Sequence, residues 1–377
     1  MTQAQLRPLA GRRVLDFSHV LAGPYATMML ADLGADVIKV ERPSHGDETR
    51  GWGPPYIDGS SAYFHAVNRG KRSVALDLVS EEGKAAVRRL AASSDIVVEN
   101  FRPGVPERLG IDYASLAEVN PQLIYASITG FGSVGPMAMM PGSEVVVEAY
   151  SGLMEITGEA DGNPVRFGVA MVDLATGITA AAGILAALLD PAEAGGRKLE
   201  FSLYGTALSC LGTLIASTSA GDDGPARRWG TGHPTIVPYA AFRAADGEVV
   251  IGAINELMWK RLCAALELER AEQSAGWATN DGRVADRAGV DAEVARRLAG
   301  LPVAEVVARL EAAEVLVAPV ESVETAARSE QARAIDIVFE QQGALFARSV
   351  LDTGVEPPEQ APALGEDTAE VLAELGL

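Results

Sequence analysis

Residues 13–43 read RVLDFSHVLAGPYATMMLADLGADVIKVERP. Arg13–Phe17 is a short apolar run, and Gly23-Pro24 marks a turn behind it. Tyr25–Leu33 has a helical pattern that Gly34 stops, and Asp36–Arg42, built on Val37, Ile38 and Val40, reads as a second strand ended by Pro43. Strand, helix, strand at this spacing is a βαβ unit, whose two strands are parallel because a helix crosses between them.

The alternation continues outward. After a loop over 44–59, Ser73–Leu78 predicts a third strand, Ser80–Ser93 a helix, Asp95–Asn100 a fourth strand and Leu123–Thr129 a fifth. Ser80 is the expected N-cap, with Glu81 and Glu82 in the first turn, but Gly83 leaves the capping box incomplete. Lys198–Leu203 is a further strand. Short apolar strands alternating with helices predict an α/β fold with a mostly parallel sheet covered on both faces. Ligands of such sheets bind at the carboxyl ends of the strands. Those ends are Phe17–Ala22, Glu41–Arg42, Asp77–Leu78, Asn100–Arg102 and Gly130–Gly132.

Further on, Val145–Leu189 reads as helical, broken by a turn at Gly158–Pro164. Ser219–Gly224 reads as a hinge, and Ile236–Ile251 as a hairpin turning at Asp246-Gly247. Helices follow near Leu257–Leu268, Val290–Leu298 and Val303–Ala313. The pattern predicts a large domain over 1–220, a smaller α+β domain over 221–330, and a segment 331–377 ending in a helix capped at Asp367 or Thr368.

Composition bounds the function. The 377 residues are 48% hydrophobic and 22% charged, as in a folded chain. With 31 basic and 51 acidic residues the net charge is −20, which argues against nucleic acid and anionic membranes as partners. An anionic ligand would need basic residues gathered locally, and Arg42, Arg72, Arg102 and Arg108, with Lys39 and Lys71, lie at or near strand ends. Two cysteines, Cys210 and Cys263, exclude a disulfide scaffold, and the four histidines lack the spacing of a metal site. No signal peptide is visible, and the longest near-apolar run, Ile178–Leu189, is 12 residues. That is short of the ~18 a membrane span requires, so a cytoplasmic protein is expected.

Two motifs invite chemistry. Gly130-Phe-Gly-Ser-Val-Gly135 fits G-x-G-x-x-G, with Glu155 twenty residues on. Its context argues for a glycine turn, because Pro136 and Pro141-Gly142 follow and the fifth strand is the wrong one for a dinucleotide fingerprint. Asp173 precedes the helical run to Leu189. The first expectation for it is an N-cap. The helix N-terminus also favours its ionised form, and a desolvated carboxylate can act as a nucleophile.

The ordered segments Val14-Leu-Asp-Phe…Ala22-Gly-Pro, Leu33-Gly-Ala-Asp-Val-Ile-Lys-Val-Glu-Arg-Pro43, Val98-Glu-Asn-Phe-Arg-Pro-Gly104, Ile128-Thr-Gly-Phe-Gly132, Ser151-Gly-Leu-Met and Gly232-His-Pro resemble the family III coenzyme A transferases and the related α-methylacyl-CoA racemases. The resemblance runs over almost the whole chain. It implies a large Rossmann-like domain and a small α+β domain, with two chains interlocked as rings in a homodimer. It implies Asp173 as the nucleophile and acyl-CoA and a small carboxylic acid as substrates, with no metal and no tightly bound cofactor. It places the CoA pocket at Leu21, Ala22, Arg42, Leu76, Asn100, Phe101, Arg102, Arg108 and Leu109, with Arg42 and Arg108 on phosphates. It offers Gly230 and Gly232 as glycines that cover the site.

One departure separates two activities. The racemases have a Gly-His-Asp segment where this chain reads Gly142-Ser143-Glu144. Ser143 does not titrate near neutral pH and cannot serve as their acid/base group. Transfer of CoA between two acids is therefore the first reading, an acyl-CoA racemase the alternative, and a CoA-ester-binding protein without turnover a third. Ser143, Glu144, Gly230, Gly232 and His233 are candidates for the acceptor pocket. Arg166, Arg227 and Arg228 could meet the second carboxylate of a dicarboxylic acid, although solvated surface positions suit them as well.

Overall fold

The structure is a computed structural model and describes residues 6–190, 195–221, 224, 226–268, 274–352, 354 and 358–377. Asp222 and Asp223 of the expected hinge lie outside the described residues. Contacts divide the chain into two units. The first holds Met1–Ser151, Phe167–Cys210 and Ser329–Leu377, and the second holds Gly152–Arg166 and Leu211–Arg328. The sequence-based cuts at 220/221 and 330/331 compare with cuts at 210/211 and 328/329, and a short stretch, Gly152–Arg166, also groups with the second unit.

In the first unit six strands make one sheet: β1 (Arg13–Asp16), β2 (Asp36–Glu41), β3 (Lys71–Ala75), β4 (Ile96–Glu99), β5 (Ile124–Thr129) and β6 (Arg197–Ser202). All neighbours are parallel, in the order β3-β2-β1-β4-β5-β6. That is the order of doubly wound sheets, and the direction of winding reverses between β1 and β4. Strands buried on both faces read as unbroken apolar runs, and Ile96–Val98 and Ile124–Ala126 are buried throughout.

Helix α1 (Ala22–Asp32) starts earlier than expected, at the Gly23-Pro24 pair. Proline is tolerated there because the first-turn N–H groups have no partner within the helix. Gly34 stops it at φ +95°, and Ser80 caps α3 (Glu81–Ala92) by accepting from Gly83 N at 3.0 Å. The helical stretch expected from Val145 divides into α4 (Glu144–Ser151) and α5 (Met171–Leu189). The break is longer than Gly158–Pro164 and begins at Gly152, φ +90°. The run read as 12 residues is the end of α5, whose 19 residues are long and apolar enough to cross a membrane by length and composition alone. Much of that apolarity is used internally, since Val172, Ala180, Ala181 and Ile184 are buried.

The C-terminal helix α9 (Thr368–Glu374) follows Asp367, whose side chain makes no capping bond. Asp367 Oδ2 accepts from Ser73 N at 2.7 Å, and Thr368 Oγ1 from Ala75 N at 3.0 Å. Both expected caps therefore serve edge strand β3, whose outer N–H groups would otherwise be open to pairing.

The second unit has an antiparallel sheet ordered β9-β8-β7: β7 (Tyr239–Arg243), β8 (Glu248–Gly252) and β9 (Leu316–Pro319). The β7–β8 hairpin turns at Asp246-Gly247, with Arg243 opposite Glu248. Trp259 and Leu262 of α6 (Glu256–Leu266), Val294 of α7 (Arg287–Leu298) and Leu310 of α8 (Val303–Ala312) join Val249 and Ile251 in its core.

Candidate active site

The reversal point of the sheet is where the chain leaves β1 and β4. Asn100, just past β4, donates from Nδ2 to His19 O at 2.7 Å and accepts from His19 N at 2.9 Å. The two strand exits are thereby joined. The Phe101 ring lies 5.2 Å from the His19 ring, and burial lowers the His19 pKa. Leu76, Phe101 and Leu109 pack on one hydrophobic cluster at this edge. Leu21 and Ala22 are buried at the entry to α1, while Arg42, Arg102 and Arg108 are exposed and carry no described ion pair.

The basic group is smaller than its sequence suggests. Arg72 pairs with Asp36 at 2.7 Å and Glu374 at 2.6 Å. Lys71 is buried against Asp16 at 3.0 Å and Lys39 against Asp47 at 2.9 Å. Burial pushes the Lys71 amine down to about 8, and against the upward push of burial Lys71 and Lys39 hold Asp16 down to about 2. These three cations are committed to internal carboxylates, which leaves Arg42, Arg102 and Arg108 for an anionic ligand.

Asp173 is not an N-cap. The cap position is Ala170, which offers no side-chain bond, and Asp173 is the third residue of α5. The missing cap comes from another helix. Glu144, at the start of α4, accepts from Val172 N on Oε1 at 3.0 Å, and Glu148, one turn later, accepts from Phe167 N on Oε2 at 3.3 Å. Both glutamates are buried, so two carboxylates grip the chain as it enters α5. Burial, and then the charge of Glu144, push the Asp173 carboxyl up to about 7. Sequence reasoning has the helix end favouring the ionised form. Desolvation and a like charge outweigh it here.

One turn beyond Asp173 on the same helix is Gly177. A Cβ there would stand 2.7 Å from Ala22 O and 3.2 Å from Tyr25 Cδ1. Only a glycine lets α5 lie this close to the start of α1, one turn after Asp173 on the same helix. Gly130 and Gly142 meet in the same way, since a Cβ on Gly130 would be 2.3 Å from Gly142 Cα. The G-x-G-x-x-G glycines thus serve packing and turns, with Gly132 and Gly135 at positive φ. Gly142 leads into exposed Ser143 and buried Glu144.

Tyr63, on α2 (Ala62–Asn68), belongs to this group and carries no motif in the sequence. Its hydroxyl is pushed up to about 12 by burial and then by Asp173 and Glu144. Its ring pairs with exposed Trp52 at 5.3 Å. Gly177 also escapes sequence reasoning, although a glycine inside an Ala-rich helix, about 1 kcal/mol worse than alanine, signals a packing reason.

Gly230, Gly232 and His233 belong to the second unit. Gly230, φ +58°, donates to Gly158 O at 2.9 Å, and the His233 ring stacks on Tyr239 at 5.5 Å. Thr235 N donates to His233 Nδ1 at 3.2 Å. A 740 Å³ cavity in this unit is lined by Arg227, Trp229 and Gly232 among others. Arg227 lies 4.0 Å over the Trp229 ring, and Arg228 is paired with Glu155 at 3.0 Å. Arg166 is exposed.

A family model described as CoA-transferase family III matches residues 9–368. Succinate–glutarate CoA-transferase of Agrobacterium fabrum is 39% identical over 98% of this chain and 96% of its own. Succinyl-CoA:glutarate CoA-transferase of Mus musculus is 46% identical over 75% of this chain, a match that covers 65% of the mouse protein, less than two thirds of its length. Among solved structures, a CAIB/BAIF family protein from Brucella suis superposes with a TM-score of 0.90 at 37% identity, over 98% of this chain and all of that one.

Proposed function

The chain belongs to CoA-transferase family III, and from that premise we propose that it moves coenzyme A from an acyl-CoA donor to a carboxylic acid through covalent intermediates on Asp173. The observation that carries the reading is Asp173 itself: a desolvated carboxylate in the first turn of α5, beside Glu144 and one turn before the glycine contact of α5 with α1.

The Asp173 carboxylate attacks the donor thioester carbonyl. The C–S bond breaks, CoA leaves as its thiolate, and a mixed anhydride remains. The thiolate then attacks the Asp173 carbonyl, which releases the donor acid and leaves an aspartyl-CoA thioester. The acceptor carboxylate attacks the carbonyl of that thioester, its C–S bond breaks to release the thiolate, and a second mixed anhydride remains on Asp173. Attack of the thiolate on the acceptor carbonyl gives the new acyl-CoA and frees Asp173. No proton and no redox agent is consumed. The protein has to hold the thiolate in place between steps and to exclude water, which would hydrolyse either anhydride. Leu76, Phe101 and Leu109 supply an apolar wall for the adenine, and Arg42 and Arg108 supply charge for the phosphates. Tyr63, its hydroxyl kept protonated, is a donor beside the carboxylate.

The named relatives act on succinate and glutarate, and we take the acids here to be short dicarboxylic acids as well. The racemase reading loses support because Ser143 has no titratable group. We further infer that the working form is an interlocked homodimer. Incubation with succinyl-CoA and labelled glutarate should give labelled glutaryl-CoA, and borohydride after acyl-CoA treatment should modify Asp173. Rapid α-deuteration of a 2-methylacyl-CoA without any acceptor acid would replace this reading with an isomerase.

A further inference from the structure

Val20 stands at φ +69°, a left-handed conformation that β-branched residues rarely adopt. It lies between β1 and α1, directly before Leu21 and Ala22. Such strain persists only where the surroundings over-determine it. Here the loop backbone is pinned at Ser18 and at the N–H of Val20 itself. Lys39 Nζ donates to Ser18 O at 2.7 Å, and Val20 N donates toward Asp47 Oδ1 at 3.4 Å. Lys39 and Asp47 are themselves an ion pair at 2.9 Å, each side chain 1% exposed. Asp47 is fixed in turn by Thr49, whose N and Oγ1 donate to Oδ1 at 3.0 and 2.8 Å, and its own N donates to Glu41 Oε1 at 2.9 Å.

A buried ion pair adds little net stability over a well-packed apolar pair of the same size. This pair has a second occupation that an apolar pair could not perform, because its charged atoms bond two backbone groups of one loop. We propose that Lys39 and Asp47 are positioning residues that hold Ser18–Leu21 in a strained conformation and so present Leu21 and Ala22 to coenzyme A. The inference rests on the reading of that edge as the CoA site.

The test is a double-mutant cycle read by calorimetric titration with CoA. Lys39→Met/Asp47→Leu removes both charges together and should weaken CoA binding by about tenfold, within the range that releasing one strained residue spans. Glycine adopts positive φ at no steric cost, so in a Val20→Gly background the same pair of changes should cost less than about threefold. The loss should appear in KM, with kcat recovered at saturating acyl-CoA. An equal cost in both backgrounds would overturn the proposal, as would unchanged CoA affinity. If the double variant does not fold, Asp47→Asn is taken through the same cycle with the same expectations. A wild-type protein that binds no CoA would instead remove the functional reading on which the proposal stands.

Discussion

Asp173 has a pKa of about 7 for two separable reasons, burial first and Glu144 second. Only the ionised form can attack, so kcat/KM should rise with pH up to about 7 and level off above it. Glu144→Gln keeps an oxygen for Val172 N but removes the charge. The inflection should then move to lower pH, and an unmoved profile would show that Glu144 does not act on Asp173 electrostatically. The same shift carries a stability cost whose sign is fixed. A folded-state pKa above the unfolded value of about 3.8 means that the folded state binds the proton more tightly. The cost of ionising Asp173 therefore appears between pH about 4 and about 7 and is complete above that. Asp173→Asn should raise Tm at pH 8, lose that gain toward pH 4, and abolish transfer. Arg42→Ala and Arg108→Ala act differently. Each should weaken CoA by about 1–3 kcal/mol, seen in KM more than in kcat, because a distant phosphate is held equally in ground and transition states. A collapse of kcat at constant KM would contradict that role.

At the scale of elements, Gly177 decides how closely α5 approaches α1. Gly177→Ala puts a methyl 2.7 Å from Ala22 O, which is backbone and cannot rotate away. Overpacking of this kind costs about 1–3 kcal/mol, and here it also moves the helix that bears Asp173. The variant should lose stability in denaturant titration and lose kcat as well, and a variant as active and stable as wild type would show that the contact does not set the site. This contact also marks the limit of what the sequence discloses. The strands are legible because central parallel strands such as Ile96–Val98 and Ile124–Ala126 are apolar and buried, and because Pro43 and Gly130 mark two of the strand ends. Ser80 was legible as a cap because its partner is three residues away. The cap on α5 was not, because Glu144 reaches Val172 across 28 positions. Arg72 looked available for the same reason, since Glu374, which occupies it, lies at the other end of the chain. Asp173 stood out through the family resemblance, whereas Tyr63 is placed beside it only by the fold.

For the whole molecule, a net charge of −20 works against the anionic substrate we propose, and the internal pairing of Lys39, Lys71 and Arg72 leaves few cations to attract it. The fold also leaves apolar surface uncovered. Met171, Ile178 and Leu189 on α5 are 47%, 48% and 87% exposed, on the helix that carries Asp173. A second copy of the chain would remove such surface from water, at about 25 cal/mol per Å² buried. Interlocked chains make a sharper prediction than dimerisation alone. An ordinary dimer dissociates and re-forms at a rate set by its affinity, so tagged and untagged dimers mixed under native conditions exchange subunits. Linked rings separate only when a chain unfolds, so exchange should track the unfolding rate and rise steeply with temperature. Native mass spectrometry of the mixture should show no hybrid over hours at 25 °C and hybrids after unfolding and refolding in denaturant. Hybrids that form within minutes without denaturant, or a monomer in sedimentation, would exclude the interlocked arrangement while leaving the chemistry at Asp173 intact.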